Sequence, residues 1–212
     1  MKTTVSWVRS QQWRLVQSMF KPKWITTDGS WQAVKNACRT TVGKTHSDKD
    51  ATDAFKYDIV IAEHTPIRKI NISWLWHMPY WVAMEWARHK FEKFIRSQRT
   101  DRTGEVRDKK PQDAPVDFEG YANIQNVIDA WRKRLCNQAT PLAKAYAVAF
   151  KQELHNTEPA IADALVPHCV YRCGCPEFNG CPFWKAFVER HKGAEFTDIR
   201  ARYALYNGEI YK

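Results

Sequence analysis

The fold is decided by residues 69–90, which read KINISWLWHMPYWVAMEWARHK. Apolar and polar side chains alternate over 69–76, and this period of two predicts a half-buried β-strand. Pro79 suits the first turn of a helix, because its φ is already helical and a first-turn N–H has no partner within the helix. The stretch therefore predicts a strand that leads directly into a helix over 80–90.

Similar patterns extend the prediction outward in both directions. Weak alternation predicts one or two strands within 1–25, and apolar side chains at helical spacing predict several helices. The expected helices cover 31–39, 51–63, 119–137, 142–155, 159–166, 184–191 and 197–206. The predicted class is α+β, with a small and mostly antiparallel sheet packed against several helices. We expect a main domain over 1–158 and a cysteine-rich helical extension of the same domain over 159–212.

Composition restricts the class of protein. The chain has 212 residues, of which 44% are hydrophobic and 26% charged, so a disordered or fibrous protein is excluded. The apolar runs are far shorter than the roughly 18 residues of a membrane span, and no apolar segment follows Met1 and Lys2 as in a secretion signal. We expect a cytoplasmic protein with no membrane partner. The net charge of +10 predicts an anionic ligand, such as nucleic acid or a phosphorylated metabolite.

Residues 91–115 lack periodicity and carry most of the local positive charge. Arg96, Ser97, Gln98 and Arg99 supply guanidinium forks and a hydroxyl group, which together can bind a phosphate. A loop of this length inside a compact domain is usually functional or disordered. A phosphate cradle and a solvated charged loop are therefore both consistent with this segment.

The predicted helix over 119–137 carries a polar stripe beside its apolar one. Asn123 and Arg134 are eleven residues apart, close to three helical turns, so their side chains would point the same way. Such a stripe can face a polar ligand. The alternative is that Arg134 belongs to a basic last turn, which the helix dipole favours.

Arg88, His89 and Lys90, eleven residues before Arg99, resemble the signature R-H-R-x-x-S-x-N-x-x-S-x-R-Y of the flavin-dependent thymidylate synthases. The resemblance covers about residues 31–140. It includes the early helix that ends on Thr40, the segment around Thr65 and Pro66, which is similar to the family's H-x-T-P motif, and the helix with Asn123 and Arg134.

This chain departs from the family pattern at several positions. Lys90 replaces the third basic arginine of the signature, and a lysine cannot form a bidentate fork. Thr100 replaces the signature tyrosine, Ala62 stands where the H-x-T-P motif has its histidine, and Glu85 stands where the family usually has glutamine. A carboxylate near a bound phosphate would repel it unless the carboxylate is protonated or paired.

The resemblance implies a reaction, its cofactors and an assembly. The family converts dUMP to dTMP, with methylenetetrahydrofolate as the carbon donor, reduced FAD as the hydride source and NADPH as the reductant of the flavin. Its members are homotetramers with FAD at subunit interfaces. All of these ligands are anionic, so the positive charge is explained without nucleic acid. The divergence of the motifs suggests a phage gene product that acts in the host cytoplasm.

The resemblance also implies a role for particular residues, and it makes Arg134 the catalytic residue that activates the pyrimidine by stabilising negative charge on the ring. The implied FAD contacts are Thr40, Thr65, Arg88, His89, Lys90 and Asn123. The implied dUMP contacts are Glu85, Arg88, Ser97, Gln98, Arg99, Arg107 and Arg134.

Four cysteines lie close together near the end of the chain: Cys169, Cys173, Cys175 and Cys181. Four thiolates can hold one zinc ion tetrahedrally, and a [4Fe–4S] cluster also takes four. The spacing lacks a C-x2-C pair, so free thiols in a loop rich in glycine and proline are an equal alternative, and disulfides a weaker one. A bound metal would most simply stabilise a loop that has little apolar core.

Other functions fit the same sequence. One is a related enzyme that modifies the C5 position of pyrimidine nucleotides. Another is a non-catalytic nucleic-acid-binding protein, in which the cysteine cluster forms a zinc knuckle and exposed tryptophans stack on bases. A third is a member of the family that has lost its activity.

Overall fold

The structure, a computed structural model, describes residues 19–211. At its centre is a four-stranded antiparallel sheet. The strands are β1 (Trp24–Asp28), β2 (Asn71–Pro79), β3 (Glu92–Ile95) and β4 (Pro115–Asn123), and their order in the sheet is β1-β2-β4-β3. The predicted α+β class with a small antiparallel sheet is confirmed. Most of the segment 1–25, for which one or two strands are predicted, lies outside the described residues.

Helices precede, connect and follow the strands. Ser30 and Thr52 cap the first two, because their hydroxyl oxygens accept hydrogen bonds from the N–H groups of Ala33 and Phe55 at 3.1 and 3.2 Å. Short 3₁₀ helices cover Thr65–Lys69 and Arg107–Lys109. The α-helices are α1 (Trp31–Thr41), α2 (Asp53–Ile61), α3 (Tyr80–Trp86), α4 (Thr100–Thr103), α5 (Ile124–Arg134), α6 (Pro141–His155), α7 (Pro159–Asp163), α8 (His168–Arg172), α9 (Phe183–Arg190) and α10 (Ile199–Ile210).

The core lies between one face of the sheet and the helices. Every second residue of β2 is buried, as the alternation over 69–76 predicts, and so is every second residue of β4. Four indole rings meet in this core, with centroid distances between 4.8 and 6.0 Å. They belong to Trp74, Trp76, Trp86 and Trp131.

Gly120 of β4 makes room for this cluster. A Cβ atom at Gly120 would lie 2.2 Å from a ring carbon of Trp74, far inside van der Waals contact. Only glycine therefore allows the Trp74 ring to approach the middle of β4 this closely.

The predicted helix over 119–137 is wrong in its first part, because residues up to Asn123 belong to β4. Val116, Phe118 and Ala122 are buried on the same face of the strand. The strand pairs with β2 from Pro79↔Pro115 to Asn71↔Asn123. Pairing with the long central strand satisfies the backbone of 115–123, so the helix begins only at Ile124.

Residues 91–115 also differ from the prediction, because they contain β3 and two short helices. The helix predicted over 80–90 ends at Trp86. Lys93 of β3 stabilises that end, since its Nζ donates hydrogen bonds to the carbonyl oxygens of Ala87 and His89, both at 2.9 Å. The basic segment therefore begins as the edge strand of the sheet, whereas most residues over 99–113 are exposed to solvent.

The cysteine-rich extension packs into the main core. Ile161, Leu165, Val170 and Phe187 are fully buried and belong to the same apolar cluster as the sheet. Within residues 19–211, no helix is long and apolar enough to cross a membrane.

Lys151 of α6 is buried between α7 and α10, where its Nζ donates to the carbonyl oxygen of Ala162 at 2.6 Å and to Oδ1 of Asn207 at 2.8 Å. Burial lowers the pKa of Lys151 to about 7, and the charge of Asp163 opposes this shift only in part. An unfolded chain would titrate this lysine near about 10.4. At a pH between these two pKa values, Lys151 is protonated in the unfolded chain and mostly neutral in the folded protein.

We therefore expect the free energy of unfolding to rise as the pH increases from about 7 to 9. The Lys151→Met variant should show a flatter dependence, because the group that titrates is gone. Urea unfolding at several pH values measures this, with Lys56→Met, at a more exposed ion pair, as the control. Equal slopes for the wild type and Lys151→Met would contradict the assignment.

Candidate active site

The last turn of α5 and the end of α3 bring Arg134, Glu85 and His89 together. Nη1 of Arg134 donates to Oε2 of Glu85 at 3.1 Å, and Nη2 donates to the backbone carbonyl oxygen of Glu85. Nε of Arg134 donates to Nε2 of His89 at 2.8 Å. The Thr140 hydroxyl also donates to Oε2 of Glu85, at 3.0 Å. Both charged side chains are mostly buried, with exposed fractions of 14% for Arg134 and 18% for Glu85.

These contacts fix the state of His89. Burial lowers the pKa of His89 to about 4, and the Arg134 and Lys93 cations act in the same direction. The ring is therefore neutral at neutral pH. Since Nε2 accepts a hydrogen bond from Arg134, the ring proton must be on Nδ1. The ring also stacks on Phe91, with an interplanar angle of 6°.

The contacts also settle the environment of Glu85. Arg134 pairs with this carboxylate, so the unusual acidic residue is compensated within the chain. Burial and the nearby Arg88 lower the pKa of Arg134, and Glu85 raises it. Three of the five N–H groups of the guanidinium are used in these contacts, and two remain for another partner.

Arg88, His89 and Lys90 line a cavity of about 360 Å³ together with residues of α5. This groups three of the six predicted flavin contacts. Asn126 and Asp129 of α5 also line it. The cavity thus has two cationic side chains and an amide on its lining, with one carboxylate.

Asn123, another predicted flavin contact, has a local role. It precedes α5 rather than lying within it, and its Oδ1 accepts a hydrogen bond from the N–H of Asn126 at 3.0 Å. Asn123 is therefore the N-cap of the helix. The predicted three-turn alignment of Asn123 with Arg134 does not exist, because Asn123 has extended backbone geometry.

Thr40 lies in a separate cavity of about 460 Å³, lined also by Asn36, His46 and Lys69. Its hydroxyl is 3.0 Å from the carbonyl oxygen of Asn36 and 3.1 Å from Nε2 of His46. Thr65 is exposed at the start of its 3₁₀ helix and lines none of the cavities described here. The predicted flavin contacts are thus divided among different parts of the chain.

Ser97, Gln98, Arg99 and Arg107 line one small cleft of about 200 Å³. The first three follow the edge strand β3, and Arg107 comes from the 3₁₀ helix after α4. Tyr80 and Met84 of α3 form the apolar side of the cleft. Arg99 is held by Asp101 through two hydrogen bonds, of 2.8 and 3.0 Å. Four of the predicted dUMP contacts therefore share one cleft.

A larger cleft of about 570 Å³ adjoins the small one, and Ser97 and Gln98 line both. Other lining residues include His77, Arg96 and Lys110. His77 was not predicted as a site residue. The alternation over 69–76 continues through residues 77 and 78, and His77 takes the polar position. This pattern indicates that its side chain faces away from the core.

The predicted arginines fall into two groups in a single chain. Arg88 lies close enough to Arg134 to lower its pKa, whereas Arg107 lines the small cleft with Arg99. One chain therefore does not bring Arg88, Arg107 and Arg134 into one cavity among those described here.

The four clustered cysteines differ in environment. Cys169 is buried and Cys173 and Cys175 are exposed, while the thiol of Cys173 contacts the carbonyl oxygen of Phe196 at 3.2 Å. Burial raises the pKa of Cys169 to about 12. Over residues 19–211, no three His, Cys, Asp or Glu side chains are arranged so that they could hold a metal ion. As placed, these side chains do not form a zinc site. That Cys169, Cys173, Cys175 and Cys181 are metal ligands stays a prediction.

No protein-family model and no curated protein matches the chain. Among solved structures, the chain is similar to the UMP/dUMP methylase PolB from Streptomyces cacaoi, solved with bound 5-Br dUMP. The TM-score is 0.52 and the identity 12%, over 68% of this chain and 95% of that one. At this level of identity the likeness shows a common fold.

Proposed function

We propose that this protein modifies the C5 position of a pyrimidine nucleotide and that dUMP is its substrate. The observation that carries the proposal is the small cleft, in which Ser97, Gln98, Arg99 and Arg107 meet. Arginine forks and a hydroxyl group suit a phosphate monoester. The shared fold with a methylase solved with a dUMP analogue supports the same substrate class.

Within this class, we propose the thymidylate synthase reaction, in which dUMP is methylated reductively with methylenetetrahydrofolate, and NADPH supplies the reducing equivalents. FAD is the proposed cofactor. The donor set fits it, because the cavity lined by Arg88, Lys90 and Asn126 offers two cations and an amide to a pyrophosphate. When bound, reduced FAD supplies a hydride.

The residues of the chain would then have distinct tasks. Arg99 and Arg107 bind the phosphate and orient the nucleotide. Arg134 stabilises negative charge on the pyrimidine ring, and Glu85 and His89 hold its guanidinium in one orientation beforehand. Such preorganised electrostatics is a large term in many enzymes, because no reorganisation is needed in the transition state.

We propose a homotetramer as the active form. In one chain Arg88 and Arg107 line different cavities and Arg134 lines neither of them, so a site shared by all three arginines requires a neighbouring subunit. Sedimentation equilibrium of the purified protein tests the assembly. A strict monomer that turns over dUMP would contradict it.

The absorption spectrum of the purified protein, followed by a dUMP titration, tests the proposed function. We expect flavin absorbance after reconstitution with FAD, and a spectral change that saturates with dUMP. A protein that binds neither FAD nor dUMP would overturn the proposal. If that protein also binds DNA with a steep loss of affinity in salt, the nucleic-acid-binding alternative is correct.

We expect Arg107→Ala to weaken dUMP binding about 10- to 100-fold, because a charge-assisted contact to the phosphate is lost. Isothermal titration calorimetry measures the dissociation constant. Arg102→Ala is the matched control, since Arg102 is an exposed arginine of the adjacent α4 and lines neither cleft. Equal weakening in both variants would show that only the net charge of the segment matters.

A further inference from the structure

His77 and Asp117 form a hydrogen-bonded pair on the open face of the sheet. They are directly opposite each other in the register of β2 and β4, and Nδ1 of His77 is 2.9 Å from Oδ1 of Asp117. The same carboxylate oxygen accepts a hydrogen bond from Nζ of Lys23 at 2.9 Å. Donation from Lys23 and then from His77 lowers the pKa of Asp117, so this carboxylate is ionised.

The backbone around the pair is fixed as well. The hydroxyl of Tyr146 donates to the carbonyl oxygen of His77 at 2.9 Å, and the N–H of Arg96 donates to the carbonyl oxygen of Asp117 at 2.9 Å. The second bond joins the end of β3 to β4. These bonds fix the backbone of both residues, and the bond to Asp117 orients the imidazole, although about half of its side-chain surface is exposed.

The pairing determines which nitrogen of His77 is available. An ionised carboxylate only accepts hydrogen bonds, so Nδ1 must be the donor. In the neutral ring, Nε2 then has no proton and is an acceptor. His77 lines the large cleft, which shares Ser97 and Gln98 with the proposed phosphate site. A volume of about 570 Å³ is within the range of small-ligand sites.

We propose that the large cleft holds the pyrimidine ring of the nucleotide and that His77 selects uracil by accepting a hydrogen bond from its N3–H. This inference rests on the proposed function, because a phosphate bound in the small cleft would place the ring in the adjoining large cleft. The Arg134 that acts on the ring would then come from a neighbouring subunit of the proposed homotetramer, since Arg134 of the same chain lines neither cleft. Cytosine has an unprotonated N3, which would face the lone pair of Nε2. Asp117 acts as a positioning residue, because it orients the imidazole and fixes its tautomer.

The test compares the dissociation constants of dUMP and dCMP, measured by calorimetry on the full chain. We expect the wild type to prefer dUMP. We express the preference as the dissociation constant of dCMP divided by that of dUMP. In His77→Ala this ratio should fall about ten-fold or more, because one hydrogen bond to uracil is lost and one repulsion of cytosine is relieved. Asp117→Asn should lower the ratio less, since an amide supports both tautomers of the imidazole.

His191→Ala is the matched control. Nε2 of His191 is 2.8 Å from Oε1 of Glu209, so it is also a histidine paired with a carboxylate, but it does not line the cleft. The ratio should stay unchanged in this variant. If dUMP binds and His77→Ala keeps the wild-type ratio, the role of His77 is wrong and the proposed function stands. If the wild type binds no dUMP, the proposed function itself fails.

Discussion

We expect Arg134→Ala to lower the turnover of dUMP by about 100- to 1000-fold, the range seen when one preorganised donor to developing charge is removed. The reason is the geometry of its guanidinium, which Glu85 and His89 hold through three N–H groups. The remaining two N–H groups have no partner among the described residues and are the ones left to bind a substrate. Single-turnover kinetics with the flavin-loaded enzyme measures the loss.

A second measurement tests the contact between Arg134 and His89 directly. Arg134 is one of the cations that lower the pKa of His89, so in Arg134→Ala that pKa should rise from about 4. An NMR titration of the histidine resonances follows it. Arg134→Lys is the conservative variant, which keeps the charge but loses the fork. Full turnover in Arg134→Ala would remove the residue from the mechanism.

We expect Arg132→Ala to lower the free energy of unfolding by about 3–5 kcal/mol, the usual effect of breaking a buried ion pair on one side. Arg132 has an exposed side-chain fraction of only 5%. Both of its terminal nitrogens donate to the Glu63 carboxylate, and its guanidinium lies 3.6 Å from the centre of the Tyr171 ring. The substitution leaves the Glu63 carboxylate without its main partner in a mostly buried position.

The pair also holds Glu63 in an unfavourable conformation. The φ of Glu63 is 51°, in the left-handed region, which an L-residue other than glycine adopts at a cost. Urea unfolding gives the free energy. Lys133→Ala is the control, since Lys133 pairs with Glu177 at 3.2 Å in an exposed position and should cost about 0–1 kcal/mol. Similar losses in the two variants would contradict the assignment.

The sequence is sufficient for the elements whose pattern is local. The alternation over 69–76 gives β2, and the helices predicted over 31–39 and 142–155 are found as α1 and α6. The strand β4 could not be predicted in the same way. Gly120 interrupts its apolar alternation, and the reason for the glycine is the Trp74 ring, which comes from another strand. A residue whose role depends on a contact with a distant strand cannot be interpreted from the pattern of its own segment alone.

The candidate site was predictable to a similar extent. Ser97, Gln98 and Arg99 are contiguous, so their shared cleft follows from local chain geometry. The pair of His77 with Asp117 arises from the register of two strands separated by a long connection, and no local spacing indicates it. The partners of Arg134 likewise come from a different helix, although the residue itself stands out by its position in the last turn of α5.

The tryptophan cluster gives the protein a built-in optical reporter. Four indoles packed in T-shaped, tilted and stacked pairs within one chiral environment should produce a strong near-ultraviolet circular dichroism signal, which disappears when side-chain packing is lost even if the helices persist. A ligand that leaves the sheet interior unchanged would not alter this signal. Spectroscopy without any label can therefore distinguish binding at the clefts from rearrangement of the interior.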